Sequence, residues 1–150
     1  MTDFPRLTRR ATVMTGAALV VLSRPVSATP ASMAAAMRDF TGGAEPRPGR
    51  IKLDLPALVD NGNSVAVTVA VDSPMLAGDH VRRIAIFNEK NPQPNVATFH
   101  LGPHSGRASV TTRMRLGDSQ RVTALAELSD GTYWSDSADV IVTLAACLEG

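Results

Sequence analysis

The chain has 150 residues, 15 lysines and arginines against 14 aspartates and glutamates, a formal charge of +1 and one cysteine. That length suits one domain with a real core. The even charge offers no basic surface to track a phosphate backbone and argues against nucleic acid as a partner, and one thiol excludes an internal disulfide framework.

Residues 1–28 have the layout of an export signal. Thr8-Arg9-Arg10-Ala11 precedes an apolar stretch through Leu22, and Val26-Ser27-Ala28 gives a small-x-small exit with cleavage after Ala28. The apolar run is too short to span a bilayer. Arg9 and Arg10, paired before a mild run, point to the twin-arginine route, which carries folded cargo. Thr12 stands where that motif usually has a large apolar residue, and an ordinary secretory signal is the alternative. Both routes lead to the bacterial periplasm. Removal of the signal leaves eleven basic and thirteen acidic side chains. The mature chain is thus near-neutral and holds no second apolar segment to keep it in a membrane.

Residues 29–49 read as a helix and linker. Met33, Ala36, Met37 and Phe40 recur at helical spacing, Gly42-Gly43 ends the pattern, and Pro46 and Pro48 forbid its continuation. From residue 50 to 144 the period becomes two. Ile51 to Leu55 alternates, and after the Asn61-Gly62 turn Val65, Val67, Val69 and Val71 fall on one face. Further strand patterns cover Val81 to Asn88, Val96 to Leu101, Ala108 to Leu116, Arg121 to Leu128, Thr132 to Trp134 and Asp139 to Leu144. Trp134, the single tryptophan, is expected to anchor the core. Seven or eight short strands without helices between them predict an all-β fold, an immunoglobulin-like antiparallel β-sandwich with a short N-terminal helix. Residues 145–150 (Ala145, Ala146, Cys147, Leu148, Glu149, Gly150) then form a flexible C-terminal arm that adds nothing to the core.

Cys147 is the residue to explain. A lone thiol on a tail either carries chemistry, pairs between chains or is incidental. An exposed free thiol is a liability in an oxidising compartment, which weighs against the last. Glu149 and the terminal carboxylate oppose thiolate formation, so a partner would supply the positive charge. His100 and His104 flank Leu101-Gly102-Pro103, and His80 is the only other histidine. They are too few for a convincing metal site. A metal-linked enzyme using these three remains one rival reading. The turn Asn88-Glu89-Lys90-Asn91-Pro92 offers one carboxylate and one amine, not an acid pair. No catalytic triad order, phosphate-binding glycine loop or CxxC occurs.

Several runs resemble one family. Lys52-Leu53-Asp54-Leu55-Pro56, Asn61-Gly62-Asn63, Val71-Asp72-Ser73-Pro74-Met75 and Ile84-Ala85-Ile86-Phe87-Asn88-Glu89-Lys90-Asn91-Pro92 look like SoxY, the sulfur-carrier subunit of the periplasmic Sox thiosulfate-oxidising system. The similarity continues through Phe99, Arg113, Gly131 and Trp134 to the C-terminal cysteine, covering about residues 33 to 147. The resemblance implies a heterodimer with a SoxZ-like subunit and a swinging arm on which Cys147 holds sulfur intermediates. It also implies transient visits to the haem enzyme SoxAX, the hydrolase SoxB and, where present, a sulfane dehydrogenase. The chain would then be a substrate carrier with no cofactor of its own. The family's arm commonly ends Gly-Gly-Cys-Gly-Gly, whereas Ala145, Ala146, Leu148 and Glu149 flank the thiol here. That makes a stiffer and bulkier arm. The rival from another class is an immunoglobulin-like adaptor whose Cys147 only forms interchain disulfides.

Overall fold

The computed structural model describes residues 27–146. The signal arginines Arg9 and Arg10, and Cys147, Leu148, Glu149 and Gly150 of the arm, lie outside the described residues.

Helix α1 (Pro30–Thr41) forms where the apolar spacing predicts it. Thr29 caps it in a reciprocal pair: its hydroxyl accepts from the Ser32 N–H at 3.1 Å, and the Ser32 hydroxyl accepts from the Thr29 N–H at 2.7 Å. Gly42 ends it at φ 63°, a left-handed conformation that favours glycine. Among the described residues nine strands follow: β1 (Arg47–Pro48), β2 (Ile51–Asp54), β3 (Leu58–Asn61), β4 (Val65–Val71), β5 (Val81–Asn88), β6 (Asn95–His100), β7 (Ser109–Met114), β8 (Gln120–Leu128) and β9 (Tyr133–Leu144). They build two sheets, one ordered β1-β9-β8-β5-β6 with β3 also on β9, the other β2-β4-β7.

The sandwich core lies between the sheets. Val65, Val67, Val69 and Val71 of β4 face Ile84 and Ile86 of β5 and Val122, Ala124, Ala126 and Leu128 of β8, all of them buried. The alternation read from the sequence therefore points inward. β5 is buried on both faces, because Ala85 and Phe87 turn outward and meet α1 through Met33, Met37 and Phe40. Phe40 packs edge-on against Phe87 at 6.0 Å and Tyr133 at 6.2 Å. The Arg83 guanidinium lies 4.4 Å over the Phe40 ring and pairs with Glu127.

Two features differ from the sequence reading. The predicted segments Thr132–Trp134 and Asp139–Leu144 merge from Tyr133 onward into one continuous strand, β9. The polar stretch between them is absorbed by hydrogen bonds: Asp136 accepts the Leu53 N–H at 2.8 Å, and Ser137 shares a 2.9 Å bond with Thr123. In addition β1 and β3 pair with β9 in parallel, so the sandwich is not wholly antiparallel. Trp134 sits on β9 of the larger sheet, half-buried against the core, with Arg50 at 5.7 Å over its ring. It closes the flank of the sandwich and does not fill its centre.

Candidate functional site

The arm leaves the sandwich at the end of β9, and its first two residues are described. Ala145 is exposed, but Ala146 is buried, with 8% of its surface accessible. The arm therefore does not hang free from residue 145. It is docked on the domain up to the residue before Cys147, a correction to the expectation that the tail adds nothing to the core.

Three backbone hydrogen bonds make this anchor. The Gly62 N–H donates to the Leu144 carbonyl at 2.8 Å, the Leu116 N–H donates to the Gly62 carbonyl at 2.8 Å, and the Ala146 N–H donates to the Leu116 carbonyl at 3.0 Å. Gly62 and Leu116 are themselves buried. A Cβ on Gly62 would lie 2.3 Å from the Leu116 oxygen, 3.0 Å from the Ala146 nitrogen and 3.1 Å from Val142 Cγ1. The glycine is needed here for space. Its neighbours are tied to the same edge, where the Thr143 hydroxyl donates to the Val59 carbonyl at 3.1 Å and the Ser119 hydroxyl accepts from the Val142 N–H at 2.9 Å.

The turn Asn88-Glu89-Lys90-Asn91-Pro92, which carries much of the resemblance, supports this anchor from behind. The Asn91 side-chain amide donates to the Arg115 carbonyl at 2.7 Å and accepts from Gly117 N–H and Gln120 Nε2, each at 3.1 Å, so it grips the loop on both sides of Leu116. Gln120 accepts the Lys90 N–H at 2.9 Å. The Lys90 ammonium bonds Asp118 at 2.8 Å and, with the Ser119 N–H, holds that carboxyl below its ordinary value of 3.8. The Asn88 side chain does not join this network, for its amide group is wholly buried and meets no partner among the described residues. The sequence presented this turn as a lone acid and amine, and its bonding makes it a brace.

Beside the anchor lies an apolar ledge. Leu58 and Ile141 are register partners in the parallel β3–β9 pair, 61% and 60% exposed, and Leu144 is 60% exposed two residues before Ala146. Of the histidines, His80 Nδ1 bonds the Leu76 carbonyl at 3.1 Å, His100 ends β6, and His104 sits in a 3-10 turn. Among the described residues no three His, Cys, Asp or Glu side chains gather as a metal ion requires.

A family model described as "Sulfur oxidation protein SoxY" matches residues 37–147, most of the chain and up to its only cysteine. The chain belongs to the SoxY family. SoxY is a sulfur carrier, and the fold agrees with one of solved structure. The sulfur carrier protein SoxY from Chlorobium limicola f thiosulfatophilum superposes with a TM-score of 0.62 at 25% identity, covering 77% of this chain and 100% of that one. Superoxide reductases share the sandwich alone. Neelaredoxin from Ignicoccus hospitalis matches at TM-score 0.56 and 19% identity over 63% of this chain and 80% of its own. The enzyme from Nanoarchaeum equitans matches at 0.55 and 10% over 64% and 100%. A search of curated proteins gives no match. Membership of the SoxY family places the chain among the proteins of the Sox sulfur-oxidising system. No described helix is long and apolar enough to cross a membrane.

Proposed function

We propose that this protein is a periplasmic sulfur carrier that holds thiosulfate-derived intermediates covalently on Cys147, in complex with a SoxZ-like subunit. The observation that carries the reading is that the family match runs to residue 147, where the chain has its one cysteine. The anchored Ala146 supports it, because the chain is led to the edge of the domain immediately before the thiol.

The chemistry balances on one thiol. Joining the Cys147 thiolate to thiosulfate forms a sulfur–sulfur bond and releases two electrons, which a SoxAX-type haem enzyme accepts. Water then cleaves the terminal bond under a SoxB-type hydrolase, releasing sulfate and two protons and leaving a persulfide on Cys147. A sulfane dehydrogenase, where the organism has one, oxidises that remaining sulfur. The carrier lends a tether, which keeps the substrate at high effective concentration while each enzyme acts. A twin-arginine signal at Arg9 and Arg10, cleaved after Ala28, would export the folded complex.

Cys147→Ser tests the assignment. The variant is expected to keep the wild-type far-UV circular dichroism and urea midpoint and to acquire no sulfur adduct from thiosulfate in the presence of the Sox enzymes. Adducts of the same mass on the serine variant would refute Cys147 as the carrier residue.

A further inference from the structure

We infer that Gly62 is a positioning residue for the carrier thiol. The clasp it makes with Leu116, Leu144 and Ala146 holds the root of the arm on the sandwich, and its opening sets how far from the domain Cys147 can reach. The inference rests on Cys147 being the carrier residue, but its geometry stands on described residues alone.

The clasp joins three separate stretches of chain: the β3–β4 turn, the β7–β8 loop and the end of β9. Its bonds run in series, from Ala146 N–H to Leu116 C=O, from Leu116 N–H to Gly62 C=O, and from Gly62 N–H to Leu144 C=O. Gly62, Leu116 and Ala146 are buried, so a member that leaves strands a polar group without water. That favours a closed and an open state over gradual loosening. While it is closed, Cys147 is one Cα step of about 3.8 Å from a fixed residue. Opening frees Ala145 and Ala146 and adds roughly 7 Å of extended chain. A closed clasp thus offers the thiol to an enzyme that comes to the sandwich edge. An open one sends it into a deeper site. Gly62 sets the balance because any side chain there displaces the Leu116 carbonyl that receives Ala146.

The test follows two readouts on the mature protein, purified with any partner it carries. One is hydrogen exchange at the Ala146 amide. The other is the rate of Cys147 alkylation by small iodoacetamide and by a bulky polymer-linked maleimide. In the wild type the amide is expected to exchange at least about tenfold slower than in an unstructured peptide, and the bulky reagent to react disproportionately slowly. Gly62→Ala should remove the protection and raise the bulky-reagent rate about tenfold, with less than about a twofold change for iodoacetamide, because access changes more than thiolate character. Since Gly62→Ala also strains its surroundings, Ala146→Pro serves as the second variant. It deletes the arm's donor without straining residue 62 and should shift the size ratio the same way, with only a modest fall in urea midpoint as the buried Leu116 carbonyl loses its donor. An unprotected Ala146 amide in the wild type, or a size ratio that neither variant moves, overturns the clasp. The two readings fail separately: sulfur adducts with an unprotected amide leave the carrier and remove the clasp, and a protected amide without adducts does the reverse.

Discussion

At residue 62 one added carbon would meet a carbonyl oxygen at 2.3 Å, well inside van der Waals contact. The backbone has to shift to admit it, so Gly62→Ala is expected to lower stability by about 1–3 kcal/mol, the usual range for overpacking a tight site. Urea unfolding followed by circular dichroism measures this, and an unchanged midpoint would mean that the arm root yields freely. Ala146 sits opposite, a buried methyl where the resemblance leads one to expect glycine. Alanine restricts the unfolded arm more than glycine would, worth about 0.4–1 kcal/mol in favour of docking. The sequence showed Asn61-Gly62 as a turn, which it is. It did not show the steric need, because that depends on Leu116 and Ala146 arriving from distant parts of the chain. The same holds for Asn91. Its place in the motif was legible, but its three bonds to the Leu116 loop depend on tertiary structure.

Helix α1 was readable because its apolar positions repeat at helical spacing and Gly42 stops it. Its cap is harder to read, because Thr29 directly follows the signal exit at Ala28 and Ser32 stands where a capping box usually has Glu or Gln. Thr29→Ala removes the acceptor for the Ser32 N–H and is expected to cost about 1 kcal/mol in urea unfolding. Phe40→Ala should cost more, about 2 kcal/mol, because the ring touches Phe87 and Tyr133 and lies under Arg83. A Phe40 variant as stable as the wild type would show that α1 rides on the sheet without holding it. Strands β1 and β3 escaped the sequence for a physical reason. Two residues ending in proline cannot show a period, and Leu58-Val59-Asp60-Asn61 becomes a strand only by lying along β9. β9 in turn looked like two strands because its polar middle is satisfied by Leu53 and Thr123 from other strands.

For the molecule as a whole, the sandwich was legible because both of its faces follow period-two patterns, and the family followed from collinear runs along most of the chain. The anchored arm was not, since docking depends on contacts between its root and two loops. Electrostatics add a condition on acidity. Asp118 is held below its ordinary value by Lys90, Asp130 by Thr132 and Asp139 by Arg121. Each contributes stability while ionised, so the gain is complete above about pH 5 and is lost as pH falls through the lowered values. The urea midpoint should be flat from about pH 7 to 5 and decline below about 4, less steeply in high salt because these groups are exposed. A midpoint that rises on acidification would contradict the pairings. Asp118 lies in the β7–β8 loop, residues 115–119, whose Leu116 carbonyl receives the arm.

The central claim is that sulfur is carried on Cys147. Intact-protein mass spectrometry tests it most directly, on protein taken from the periplasm of cells given thiosulfate and mapped by peptide. The account predicts sulfur-containing adducts on the peptide that holds Cys147, removed by reductant, on a chain that begins at Thr29. An unmodified thiol, or material found only as a disulfide-linked dimer, would contradict it and leave an adaptor in the carrier's place.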